Sequence, residues 1–125
     1  MSLDVYLMGK SKKVEFKCVI CDNIHYHKES EELYHDNITH NLNVMADKAG
    51  IYKALWRPEE INCIKAKDII DILTTGLLDL KTNISHFKTF NPPNDWGNYD
   101  ILVSFVTKYL KTCIKYPNAI IKVSR

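Results

Sequence analysis

The chain has 125 residues, 46% hydrophobic and 26% charged, which is ordinary globular usage and long enough to fold without disulfide or metal staples. Seventeen basic and fifteen acidic residues are interspersed and leave a formal net charge of +2, not the concentrated basic face of a duplex-nucleic-acid binder. No apolar run approaches the roughly 20 residues that span a bilayer, and Met1-Ser2-Leu3-Asp4 opens without the basic segment of a signal peptide.

The expectation is one soluble domain over 1–125, cytoplasmic in its host cell, with no membrane partner. In that compartment Cys18, Cys21, Cys63 and Cys113 are expected to be reduced or to hold metal.

Leu3, Val5 and Leu7 alternate with Asp4, Tyr6 and Met8, which predicts a half-buried strand over 3–8. Gly9-Lys10-Ser11-Lys12-Lys13 reads as a polar turn. Val14, Phe16 and Cys18 then alternate with Glu15, Lys17 and Val19, giving a second strand over 14–19. Cys21-Asp22-Asn23 is a turn signal, and Ile24 and Tyr26 alternate with His25 and His27 in a short third strand over 24–27. Strands joined by turns this short pair antiparallel.

Asn37 suits an N-cap, and Ile38, Leu42, Met45, Ala46 and Ala49 follow at helical spacing, with Gly50 just past the end. The spacing predicts a helix over 38–49. Tyr52, Leu55 and Trp56 form an apolar cluster, and Pro58-Glu59-Glu60 suits a first helical turn. Ile69, Ile70, Leu73, Leu77 and Leu80 make a second stripe over 67–81. Asn91-Pro92-Pro93-Asn94-Asp95 is a loop. A third stripe over 98–115 carries Ile101, Leu102, Phe105, Val106, Tyr109, Leu110 and Cys113. Ile120, Ile121 and Val123 close the chain as a strand over 119–123. The expected fold is α+β, a small antiparallel sheet of three N-terminal strands plus the C-terminal one, with about three helices packed on one face. Leu42, Leu73, Leu77, Phe105 and Leu110 are expected in the core.

Three clusters carry candidate chemistry. Cys18-x-x-Cys21 followed by His25 and His27 offers thiolate and imidazole ligands for tetrahedral zinc. A regular strand puts both histidines on one face and Cys18 with Phe16 on the apolar one, so wrapping one ion needs a twisted knuckle. The competing reading is two small thiols and two solvated histidines. The second cluster, Asn37, Thr39, His40 and Asn41, lies where a helix start would expose N–H groups to an anion; the plainer reading is a cap with ordinary polar neighbours. In the third, Trp96 and Tyr99 sit in the loop 94–99, able to stack a planar ligand or to lie as a lid on the core. Arg57, beside Trp56, is open to pairing with a phosphate or to plain solvation. Glycine-rich phosphate loops, nucleophile elbows and His-Glu-x-x-His helices do not occur. His25 and His27 could otherwise serve as the acid–base pair of a phosphodiesterase.

Ser2-Leu3-Asp4-Val5-Tyr6-Leu7, the block from Asn37-Ile38-Thr39-His40-Asn41-Leu42 to Leu55-Trp56-Arg57-Pro58-Glu59-Glu60, the Trp96-Gly97/Tyr99 loop and the Val123-Ser124-Arg125 ending resemble a group of small uncharacterised bacterial and phage proteins. The resemblance implies a setting of mobile elements and their hosts, and it carries over neither catalytic nor binding roles to particular residues. Small phage accessory proteins commonly act by binding. The expectation is therefore a non-catalytic inhibitor of a bacterial defence system. It would sequester a nucleotide-like signal, in a homo-oligomer closing the pocket, or block a host defence protein. The alternatives are a metal- or histidine-dependent nucleotide phosphodiesterase and a structural zinc-knuckle interaction module.

Overall fold

A computed structural model of the chain describes residues 2–17, 24–92 and 97–125, with side chains described over 2–9, 32–92 and 97–125. Strand β1 (Ser2–Lys17) pairs antiparallel with β2 (Ile24–Thr39), from Ser2 opposite Thr39 to Lys17 opposite Ile24. The two strands expected over 3–8 and 14–19 are thus one. The turn expected at Gly9–Lys13 is absorbed by paired irregularities. Leu7 faces Tyr34 but Met8 faces Glu32, so Leu33 is an extra residue on β2; Met8-to-Ser11 then spans three steps against two on β2. Such bulges bend a strand without ending it.

The short third strand expected over 24–27 is the start of β2, which continues to Thr39. This overturns the helix start at 38. Ile38 is buried opposite Leu3, so cross-strand pairing takes it from the helical stripe. Asn37 is a strand residue, not a cap. Its N–H donates to Asp36 Oδ1 at 2.8 Å. The capping role passes to Thr39, whose Oγ1 accepts the Asn41 N–H at 3.3 Å at the head of a 3₁₀ turn, His40–Leu42.

Helix α1 (Asn43–Lys48) follows, then α2 (Tyr52–Trp56) and two further 3₁₀ turns, Pro58–Ile61 and Ala66–Asp68. The stripes expected over 67–81 and 98–115 are helices α3 (Ile70–Thr82) and, after the short α4 (Ile84–Lys88), α5 (Tyr99–Lys115). Asn98 caps α5, its Oδ1 accepting the Ile101 N–H at 3.0 Å. Strand β3 (Ile120–Ser124) lies antiparallel on the other side of β1, with Val5 opposite Val123, so the order is β2-β1-β3. The architecture is a small α+β fold; its described sheet has three strands, not four.

Leu3, Val5 and Leu7 are fully buried from one face of β1, and α5 packs against both β2 and α3. All five expected core residues are buried. Two glycines allow close approach. A Cβ at Gly76 would run into Ile51 Cγ2 and come within 3.1 Å of the Ala49 carbonyl oxygen, so α3 lies directly on the 49–51 turn. Gly97, at φ +98°, sits where a Cβ would be 2.7 Å from Thr39 Cγ2, tying the segment before α5 to the end of β2.

Candidate functional site

The end of β2 and the turn after it carry the central cluster. His40 leaves the strand beside Trp56, which is 2% exposed, and its Nδ1 accepts the indole Nε1–H at 2.8 Å. Trp56 stacks on Tyr52 with ring centres 5.6 Å apart and planes 20° apart. Arg57 Nε donates to the Tyr52 hydroxyl at 3.4 Å, and its Nη1 donates to Glu60 Oε2 at 3.3 Å. The Tyr52 hydroxyl first, and then Glu60, push the Arg57 pKa above its ordinary value. From the other side Arg125 Nη1 donates to the Trp56 carbonyl at 2.7 Å and to Glu59 Oε1 at 2.6 Å. Glu59 is held below the usual carboxylate range by its own backbone N–H and then by Arg125. Trp56 is therefore held by its backbone carbonyl, its ring face and its indole N–H at once.

This string borders an open hollow of about 500 Å³. His40, Asn41, Asn43 and Val44 form one wall and residues 89–92, after α4, form the other. A second hollow of about 270 Å³ shares Asn43 and Val44 and reaches Asp47 and Tyr52. Volumes of a few hundred Å³ suit a small ligand or an inserted side chain. Among the described residues, neither lining includes a lysine or arginine.

The expected site residues separate. His40 and Asn41 meet at the larger hollow. Arg57 lies beyond Tyr52, with its charge engaged by Glu60. Asn37 borders a different hollow, of about 330 Å³, with Asp36, Asp100 and Lys108. Thr39 is half-buried beneath Gly97. Tyr99 is a core residue, 6% exposed, its hydroxyl donating to the Leu80 carbonyl at 2.8 Å. The anion site imagined at a helix start has no such helix behind it, because α1 has six residues and begins at Asn43. Trp96 lies outside the described residues.

Cys18 and Cys21 also lie outside them. His25 and His27 fall on β2 opposite Phe16 and Val14, with side chains outside the described set. Among the described residues, no group of three or more histidines, cysteines and carboxylates could hold a metal ion. Cys113 is fully buried, and burial pushes its thiol up to about 12; burial also raises that of Cys63. These are thiols of low reactivity.

Reading along the chain missed Asn43, Val44, Phe90 and Asn91, which reach the hollow from separate elements. A signal existed for the His40–Trp56 bond, since a buried indole N–H needs an acceptor and a nearby histidine can supply one. Also missed is the open face of the sheet. There Tyr6 stacks on His35 at 4.5 Å and 5°, Asp4 Oδ1 lies 3.1 Å from His35 Nε2, and Lys122 Nζ sits 5.6 Å over the Tyr6 ring. These four groups engage one another across three strands.

Comparisons with protein-family models, with curated proteins and with solved structures find no match to this chain.

Proposed function

We propose that the chain is a non-catalytic, phage-associated binding protein that inhibits a bacterial defence system by blocking a host defence protein, with the paired hollows at the end of β2 as its contact surface. The observation that carries this reading is the chemistry of the lining. Imidazole, carboxamides, a hydroxyl and apolar carbon line the larger hollow, and Asn43, Val44, Asp47 and Tyr52 the smaller one, with no lysine or arginine among the described residues of either. A nucleotide brought here would find no lysine or arginine for its phosphates in the described lining, and Arg57 is engaged with Tyr52 and Glu60. A protein surface would find hydrogen-bonding groups around apolar contacts, with Val44 52% exposed at the junction of the two hollows. The resemblance to bacterial and phage proteins supports the setting.

The test is phage plating on bacterial strains that each carry one defence system, with and without this protein. Plaque formation should return in at least one strain. Val44→Lys, on an exposed helix position, should melt as the native protein does and lose rescue by about tenfold or more, the effect expected of a charge placed in an interface centre. Rescue unaffected by Val44→Lys would remove the hollows from the account. Purified protein that releases an intact nucleotide on denaturation would replace blocking with sequestration. A nucleotide turned over would make the protein an enzyme.

A further inference from the structure

We infer that the larger hollow reads hydrogen-bond acceptors, and that its occupant is an extended loop of the partner protein presenting backbone carbonyl oxygens. This rests on the reading of the hollow as a protein-binding surface. Two of its side chains are set from behind as donors, while the Thr89 hydroxyl, whose proton goes to the His86 carbonyl at 2.6 Å, is left as an acceptor at the rim. The first is His40. An indole N–H can only donate, and Trp56 Nε1 lies 2.8 Å from His40 Nδ1. Nδ1 must therefore carry the lone pair, and the neutral ring keeps its proton on Nε2. To a ligand, His40 offers a donor.

The second is Asn91. The backbone N–H of Tyr99 also only donates, and Asn91 Oδ1 accepts it at 2.8 Å. One lone pair of the amide oxygen is taken by the chain's own backbone, which fixes the amide's orientation, and the NH₂ group keeps both donors. Neither assignment is open to a ring or amide flip, because the donor behind each side chain has no other role.

Both anchors are rigid. Trp56 is buried, stacked on Tyr52 and held by Arg125. Tyr99 is buried in the first turn of α5, its hydroxyl donating to Leu80. Donors fixed before binding cost little entropy when a ligand arrives. The described lining of this hollow carries no formal charge on aspartate, glutamate, lysine or arginine, so a neutral acceptor is matched without desolvating an ion. An extended peptide meets that requirement, with carbonyls at regular intervals and side chains for Val44 and Phe90.

The experiment uses the purified full chain, with nitrogen-15 spectra of the histidine rings and asparagine amides at pH 8. The His40 ring should show its proton on Nε2. N,N-dimethylacetamide, which accepts but has no N–H, should shift the His40 and Asn91 signals; methylguanidinium, which only donates, should leave them in place. Trp56→Phe keeps a ring against Tyr52 but frees Nδ1. The acetamide response at His40 should then fall while that at Asn91 persists. Should that variant not fold, the titration of the native protein decides alone. A His40 proton on Nδ1, no response to dimethylacetamide, or a response to methylguanidinium instead would overturn the inference. No defence target enters this measurement. Failed plaque rescue with the acceptor response intact strikes the proposed target, whereas intact rescue with no acceptor response strikes this inference.

Discussion

Two tyrosines on α5 are buried and differ in one atom's fate. Tyr109 is 0% exposed, and its hydroxyl has no hydrogen-bond partner among the described residues. Tyr99 is 6% exposed, and its hydroxyl donates to the Leu80 carbonyl at 2.8 Å. The same substitution should therefore have opposite signs at the two positions. Burying a hydroxyl without a partner costs about 1–3 kcal/mol, and removing it recovers part of that. The phenyl ring left by Tyr109→Phe keeps its place beside Tyr34 and Phe105, 5.8 and 6.1 Å away between ring centres. Allowing for lost packing around the missing oxygen, Tyr109→Phe should stabilise the fold by ~1 kcal/mol. Tyr99→Phe breaks a made bond and should destabilise by ~1 kcal/mol. Burial pushes the Tyr109 phenol pKa well above its ordinary value, so the group stays neutral through any working pH and ionisation does not enter. Urea unfolding followed by circular dichroism gives both midpoints, and thermal melting should separate the variants by several degrees, at roughly 4 °C per kcal/mol. Loss of stability in Tyr109→Phe equal to that in Tyr99→Phe would mean the hydroxyl is satisfied in solution, and the reasoning fails.

Gly76→Ala sets helix propensity against packing. The gain of up to ~1 kcal/mol from replacing a mid-helix glycine should be outweighed by overpacking of ~1–3 kcal/mol against Ile51 and the Ala49 carbonyl, so a lower melting temperature is expected and a higher one would refute the close approach. Asp68 Oδ2 accepts the N–H groups of Lys65 and Ile64 at 2.9 and 3.0 Å, and these two bonds, that of Lys65 first, hold its carboxyl below the usual range. A folded-state pKa below the unfolded one adds stability above the unfolded value and loses it as pH falls through the folded one. Asp68→Ala should thus be less stable than the native protein at pH 7, with the gap closing below about pH 4 in urea titrations; a gap independent of pH would point to packing.

Legibility followed range. Helices α3 and α5 could be read because Leu73, Leu77 and Leu80, and Leu102, Phe105, Val106 and Tyr109, recur at the spacing of one buried face. Leu3, Val5 and Leu7 announced a strand by the same local logic. The stretch 28–37 has no clean alternation, because residues around a bulge do not keep their phase. It was therefore legible neither as part of β2 nor as the reason for Ile38 to leave the helical stripe. His40 and Asn41 stand out by residue type alone, but the helix start expected at Asn37 and Thr39 lies within β2.

The sequence by itself determined the class of the fold, the two long helices and the core residues that they and β1 supply. Each of these depends on neighbours a few positions apart, whose periodicity is written directly in the chain. Tertiary structure decided where β2 ends, the strand order β2-β1-β3, and what the hollow offers a ligand. His40 presents a donor only because Trp56, sixteen residues on, occupies its other nitrogen, and Asn91 does so because Tyr99 occupies its oxygen. A side chain's identity gives the set of hydrogen bonds it can make; which remain for a partner depends on what the fold has already bonded.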